Sequence, residues 1–232
     1  MIGKLFRWLL IAIGLVVALF LACQGYVALR LWWWVDHNPT ATAFMNARLS
    51  VLREKKPDAK LKHQWVPYEK ISTHLKRAIL VSEDDKFADH EGFDWEGIQK
   101  ALEKNEKKGK VVAGGSTISQ QLAKNLFLSG EKSFVRKGEE AIITVMMEKI
   151  MDKERILEIY LNVIEWGDGV FGAEAAAQHY YGVSAAKLSA EQSAKLAAMV
   201  PRPRFYDRNR NAPWLLKKTQ IILERMPRAQ LP

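Results

Sequence analysis

GGSTISQQLAKNLF, residues 114–127, places a glycine turn directly ahead of a helix. Ser116 or Thr117 can cap the first turn, while Ile118, Leu122 and Leu126 recur at the spacing that gives a helix one apolar face. The opposite face carries Gln121, Lys124 and Asn125. The same period extends to either side. Ile71, Leu75, Ile79 and Ser82 line a helix that would deliver Glu83 and Asp84 at its C-terminal end. Asp94 can cap a helix bearing Trp95, Ile98, Ala101 and Leu102 that runs into the Lys-rich stretch 104–110. Further helices are predicted over 133–151, 152–164 and 173–181. Another starts from the capping box SAEQ at Ser189 and stops at Pro201, and the last runs from Pro213 to just before Pro227. No segment sustains a two-residue alternation, so the pattern predicts an all-α domain without internal repeats.

The N-terminus is of another kind. From Trp8 to Leu29 there are 22 residues without a charge, and about 20 are enough to cross the hydrocarbon core of a bilayer. Lys4 and Arg7 precede the run, which predicts an N-terminus in the cytoplasm and an exported remainder. Trp32, Trp33 and Trp34 suit an interfacial aromatic belt. Leu21-Ala22-Cys23 has some likeness to a lipoprotein cleavage site, but the apolar run continues past Cys23, which favours an uncleaved anchor. The predicted organisation is a cytoplasmic N-terminus (1–7), a transmembrane helix (8–29), a membrane-proximal connector (30–66) and a soluble domain (67–232). Cys23 is the one cysteine, so an intrachain disulfide and a zinc cluster of Cys ligands are excluded.

The net charge of +9 is weighted towards residues 201–232, where eight Lys/Arg face only Asp207 and Glu224. Beside an anchor, that excess points to membrane lipids or a phosphorylated ligand, with no nucleic acid.

Two segments are too polar and too glycine-rich to be core: EDDKFADHEGFD (83–94) and the GGST turn. Carboxylates at a helix C-terminus oppose the macrodipole, so Glu83, Asp84 and Asp85 call for a functional reason. Phe87, His90, Gly92 and Asp94 give the same segment a specific texture. Gly114, Gly115, Ser116 and Thr117 ahead of a helix offer free amides to a phosphate, with Gln120 and Gln121 on the first turns. The alternative is an ordinary turn with a good cap. In RKGEEAIITVMME (136–148), Arg136 and Lys137 sit one turn from Glu140. Such faces are common on solvated helices, and only the company of Lys124, the glycine turn and the acidic segment argues for more. The linker 104–113 is the predicted mobile flap.

Several motifs fall away. GKVVAGGS (109–116) nearly spells a P-loop, but Gly115 stands where the phosphate-binding lysine is required. Ser184-Ala185-Ala186-Lys187 matches SxxK, yet no KTG follows. The five histidines show no HExxH spacing, and there is no GxSxG elbow.

Together, EDDKFADHEGFD, GGSTISQQLAKN, RKGEEAIITVMME, ILEIYLNVIEWG and GVFGAEAAAQHYYG resemble, in order, the five motifs of the peptidoglycan glycosyltransferases, family 51. They span residues 83–182. The resemblance is to monofunctional, membrane-anchored members, since no transpeptidase motif follows. It implies a mainly α, lysozyme-like domain with one N-terminal transmembrane helix. It also implies polymerisation of lipid II into glycan strands, with release of undecaprenyl pyrophosphate.

On that resemblance Glu83 is the general base and Glu140 the second catalytic glutamate. Asp84, Phe87, His90, Gly114, Gly115, Ser116, Thr117, Gln120, Gln121, Lys124, Asn125, Arg136 and Lys137 bind substrate. No cofactor is required, although a divalent cation, Mg or Mn, could act at Glu140. Gly138, a poor helix former, is a modest departure from the third motif. The implied partners are lipid II, the growing glycan chain, membrane lipids and other cell-wall synthesis or division proteins. The implied place is the bacterial inner membrane, with the catalytic domain periplasmic. A lytic transglycosylase or muramidase, or a non-catalytic membrane scaffold, are the alternatives. The residues favour synthesis, because a pyrophosphate leaves once its charge is neutralised, whereas a sugar alkoxide needs a protonated acid.

Overall fold

A computed structural model describes residues 2–110, 114–131 and 133–232. The charge-free run forms the greater part of α1 (Ile2–Asp36), a continuous helix long and apolar enough to serve as a single-pass membrane anchor. It does not end at Leu29. It continues into the folded domain, where Leu31 and Trp34 are buried in the core. Arg155 fastens this end: Nε donates to Trp34 O at 2.8 Å and Nη2 to His37 O at 2.7 Å and Asn38 Oδ1 at 2.9 Å.

The stretch 30–66 has more structure than a connector requires. Thr42 caps α2 (Ala43–Lys55), with its Oγ1 accepting from Met45 N. Beyond it lie β1 (Lys62–His63) and a 3-10 turn, Tyr68–Lys70. Met45, Val66 and Tyr68 are all buried.

Side-chain caps set six of the remaining helix starts. Ser72, Asp94, Thr117, Ser133, Asp152 and Ser189 accept amide hydrogens at the starts of α3 (Thr73–Glu83), α4 (Trp95–Lys108), α5 (Ile118–Phe127), α6 (Phe134–Ile150), α7 (Lys153–Val163) and α9 (Ala190–Met199). Between α7 and α9 lies α8 (Ala173–Tyr181), and after α9 come α10 (Pro203–Arg208) and α11 (Pro213–Arg225). Helix α6 runs through Gly138, whose missing side chain opens onto free space, so the residue interrupts nothing.

Two expectations need correction. A three-stranded sheet joins β1, β3 (Val170–Phe171) and β2 (Glu165–Gly167), with β1 parallel and β2 antiparallel to β3. Strands of two or three residues are too short to show an alternating pattern, which is why the sequence reads as all-α. The expected flap is also partly regular. α4 continues to Lys108 and closes on Gly109 at φ 59°, while residues 111–113 of that flap lie outside the described residues.

The core is built on α3, α9 and α11, which pack together, with α5 against α6 and α7. Ala194, Ala197 and Ala198 are fully buried and let α3 approach α9 closely. Trp166, Tyr160, Phe87 and Phe171 are the largest fully buried side chains among the described residues. Burying a residue of that size removes about 150–250 Å² of surface from water, so these four anchor the domain. α1 packs along α6, which fixes the anchor to the element that carries Glu140.

Candidate active site

Glu83 is the last residue of α3, and its side chain is 10% exposed. Three neighbours define it. Ser82 Oγ donates to Oε1 at 2.7 Å, Gln121 Nε2 donates to Oε2 at 3.2 Å, and Lys218 Nζ from α11 lies 3.7 Å from Oε1. Gln121 is itself oriented. Tyr160 OH donates to its Oε1 at 2.9 Å, so the amide nitrogen must point at Glu83. Burial pushes the Tyr160 phenol well above its usual range, with the Glu83 and Asp84 charges adding to it, so that proton is always present.

The second glutamate lies on α6. Arg136 Nη1 reaches Glu140 Oε2 at 2.7 Å, and Lys137 Nζ contacts Oε1. Lys137 also reaches Ser116 Oγ at 3.4 Å, tying the glycine turn to α6. The half-buried Lys124 stands within the electrostatic reach of both glutamates. Burial lowers its ammonium pKa, with Glu140 and Glu83 pulling it back up and Arg136 and Lys137 lowering it further. Lys218 is likewise lowered by burial and partly restored by Glu83. Around Glu140, three cations (Lys124, Arg136 and Lys137) against one carboxylate leave that end of the cleft with a net charge of +2, suited to a ligand with two or more negative charges.

A cavity of about 190 Å³ opens beside Glu83, lined by Ser82, Asp85, Asp94, Gly97 and the GGST turn. Gly115 is required there. A Cβ on it would come within 2.9 Å of the Ile98 backbone, so only glycine lets the turn lie against α4.

Other sequence-predicted site residues have a different role. Asp84 is buried and spans two elements: Oδ2 accepts from Ile118 N at 2.9 Å and Oδ1 from His90 Nε2 at 2.9 Å. Its charge thus meets the positive end of α5, and stability alone accounts for it. His90 Nδ1 accepts from Gly92 N at 3.1 Å. Phe87 is buried, with Lys153 Nζ 4.5 Å over its ring. Thr117 and Gln120 form a reciprocal capping box, and Thr117 Oγ1 donates to Gly92 O at 2.7 Å.

These bonds narrow the amides that the turn and the first turn of α5 can offer a phosphate. The amides of Thr117, Ile118 and Gln120 are taken by Gln120, Asp84 and Thr117. Asp84, Phe87, His90, Thr117 and Gln120 therefore hold the cleft from behind. Gly114, Ser116, Gln121, Lys124 and Asn125 stay at least partly accessible, with Asn125 Nδ2 bonded back to Gln121 O at 2.7 Å.

A divalent cation does not fit Glu140, because both of its oxygens already face cations. Among the described residues no three His, Cys, Asp or Glu side chains converge as a metal site. Ser82, Tyr160 and Lys218 are the site residues that sequence reasoning missed. Lys218 counted only as part of the basic C-terminal stretch, and nothing local indicates that it meets Glu83, 135 positions upstream. Other cations of that stretch are also engaged within the fold. Arg204, Arg208 and Arg210 pair with Glu165, Asp168 and Asp207.

A family profile described as Transglycosylase matches residues 50–227. The biosynthetic peptidoglycan transglycosylase of Janthinobacterium sp. (strain Marseille) is 62% identical over 229 residues, covering 99% of this chain and 98% of that protein. The protein of the same name from Dechloromonas aromatica (strain RCB) is 65% identical over 229 residues, covering 97% and 98%. That of Methylobacillus flagellatus is 60% identical over 233 residues, covering both chains completely.

Proposed function

We propose, for a chain that belongs to the transglycosylase family, that the Glu83 cleft joins lipid-linked disaccharides into peptidoglycan glycan strands at a membrane surface. The chain is a peptidoglycan glycosyltransferase. Its substrates are the growing glycan chain and lipid II.

The reaction needs one proton acceptor and one charge sink. Glu83 takes the proton from the 4-hydroxyl of the incoming GlcNAc, which enters the cavity beside the GGST turn. That oxygen forms a bond to the anomeric carbon of the growing chain as the bond from that carbon to the diphosphate breaks. The electron pair leaves on the diphosphate, and inversion carries the linkage from α to β. Lys124, Arg136 and Lys137 take up the developing charge. Such preorganised charge acts without reorganising solvent and ranks among the larger contributions to enzymatic rate. Glu140 keeps Arg136 and Lys137 at a fixed separation until the diphosphate arrives. Lys218, Ser82 and Gln121 hold the Glu83 carboxylate in position to accept the proton.

The observation that carries this reading is the pairing of a nearly buried, three-partnered Glu83 with a separate cation cluster centred on Glu140. We also infer that α1 crosses the inner membrane with its N-terminus in the cytoplasm, that the catalytic domain faces the periplasm, and that it begins upstream of residue 67. In detergent with lipid II, the full chain is expected to yield a glycan polymer that lysozyme digests. Release of soluble fragments from isolated sacculi, with no polymer from lipid II, would overturn the synthetic reading.

A further inference from the structure

At the point where α1 leaves its charge-free run, a cavity of about 500 Å³ is lined by Leu29, Arg30, Trp33, Trp34, Asn38 and Thr40. Arg30 is its one charged residue. The guanidinium lies 4.5 Å over the Trp34 ring and 5.9 Å over that of Tyr26, and Nη1 donates to Tyr26 OH at 3.3 Å. Its Nε has no acceptor, and no carboxylate pairs with it among the described residues. The Nε is buried, but the two terminal nitrogens carry four N–H donors in a geometry that matches phosphate oxygens, and among the described residues Tyr26 OH is the one protein acceptor they meet. The setting singles out a ligand. Leu29 closes a span of 22 charge-free residues, so Arg30 lies at the depth where hydrocarbon gives way to headgroups. Trp33 and Trp34 supply apolar walls with a polar edge, and Asn38 and Thr40 supply neutral hydrogen-bonding groups on the aqueous side.

We propose that this cavity binds the phosphodiester headgroup of a membrane phospholipid, with the Arg30 guanidinium on the phosphate and one acyl chain along Leu29 and Trp33. The site is separate from the Glu83 cleft and rests on the anchor reading of α1, not on the catalytic one. A bound lipid there would hold the emerging end of α1 at a fixed depth.

The test uses the full chain in maltoside micelles, after carbonate washing of membranes has shown that it is integrally anchored. Native mass spectrometry then counts bound dioleoylphosphatidylglycerol, dioleoylglycerol as the same chains without phosphate, and inorganic phosphate. Wild type is expected to retain one phosphatidylglycerol and no dioleoylglycerol. Arg30→Gln should weaken retention at least tenfold, and Thr40→Val, a change outside the helix, severalfold. Arg7→Gln, at the other end of the span and exposed, should bind as wild type does. Equal retention of dioleoylglycerol, displacement of the lipid by equimolar inorganic phosphate, unchanged binding by Arg30→Gln, or an equal loss in Arg7→Gln would each overturn the proposal.

Discussion

Adjacent carboxylates at the end of α3 have opposite duties. Glu83 faces the cleft and Lys218, whereas Asp84 is turned inward between His90 and the start of α5. Asp84→Asn would take the charged acceptor from both donors and set the amide nitrogen, itself a donor, against one of them. The cost is about 1.5–3 kcal/mol, which lowers Tm by roughly 4–10 °C in a thermal melt. Lys124 supports a prediction with two signs. Its folded pKa lies below 10.5, so the unfolded chain binds more protons between the two values, and stability rises with pH across that window. Below about pH 10, where tyrosines remain protonated, urea melts of wild type should show this rise and those of Lys124→Met a smaller one, the remainder coming from Lys218, which burial lowers in the same sense. Activity moves the other way, because the neutral amine no longer holds diphosphate. The alkaline limb of the rate profile should therefore fall below the range of an ordinary lysine. The sequence made Glu83, Glu140 and the three flanking cations legible because they lie on short helical spacings or within obvious motifs. It could not separate the duties of Glu83 and Asp84, since consecutive residues at a helix end are distinguished only by what packs against each.

At the scale of elements, caps were the readable signal. Asp94, Thr117, Ser133, Asp152 and Ser189 begin the helices that their side chains predict, because capping is settled within four residues. The sheet escaped notice because β1 pairs with β3 from 108 positions away, and no local pattern records such a pairing. The GGST turn has the sequence of an anion cradle, yet the contact that decides its shape is Gly115 against Ile98. Gly115→Ala should force α4 away from the turn and open the cavity beside Glu83. A rise in KM for lipid II larger than the fall in kcat is expected, and unchanged kinetics would show that the turn tolerates a Cβ.

The whole molecule is an anchor and a catalytic domain joined without a loose hinge. α1 continues past the charge-free run, packs along α6 and is held by Arg155 on Trp34, His37 and Asn38. The anchor is legible from hydropathy, but its docking is not, since Trp34 reads equally well as part of an interfacial belt with Trp32 and Trp33. Arg155→Ala leaves those carbonyls unpaired at about 1–3 kcal/mol, so amide exchange over residues 34–40 should accelerate at least tenfold while α5 and α7 stay protected. The proton acceptor remains the central claim, and polymerisation of lipid II by the full chain carrying Glu83→Gln tests it most directly. We predict a loss of about 10²–10⁴-fold in rate, with Tm and lipid II binding close to wild type. A variant that polymerises within about tenfold of wild type would contradict the assignment of Glu83 as the base.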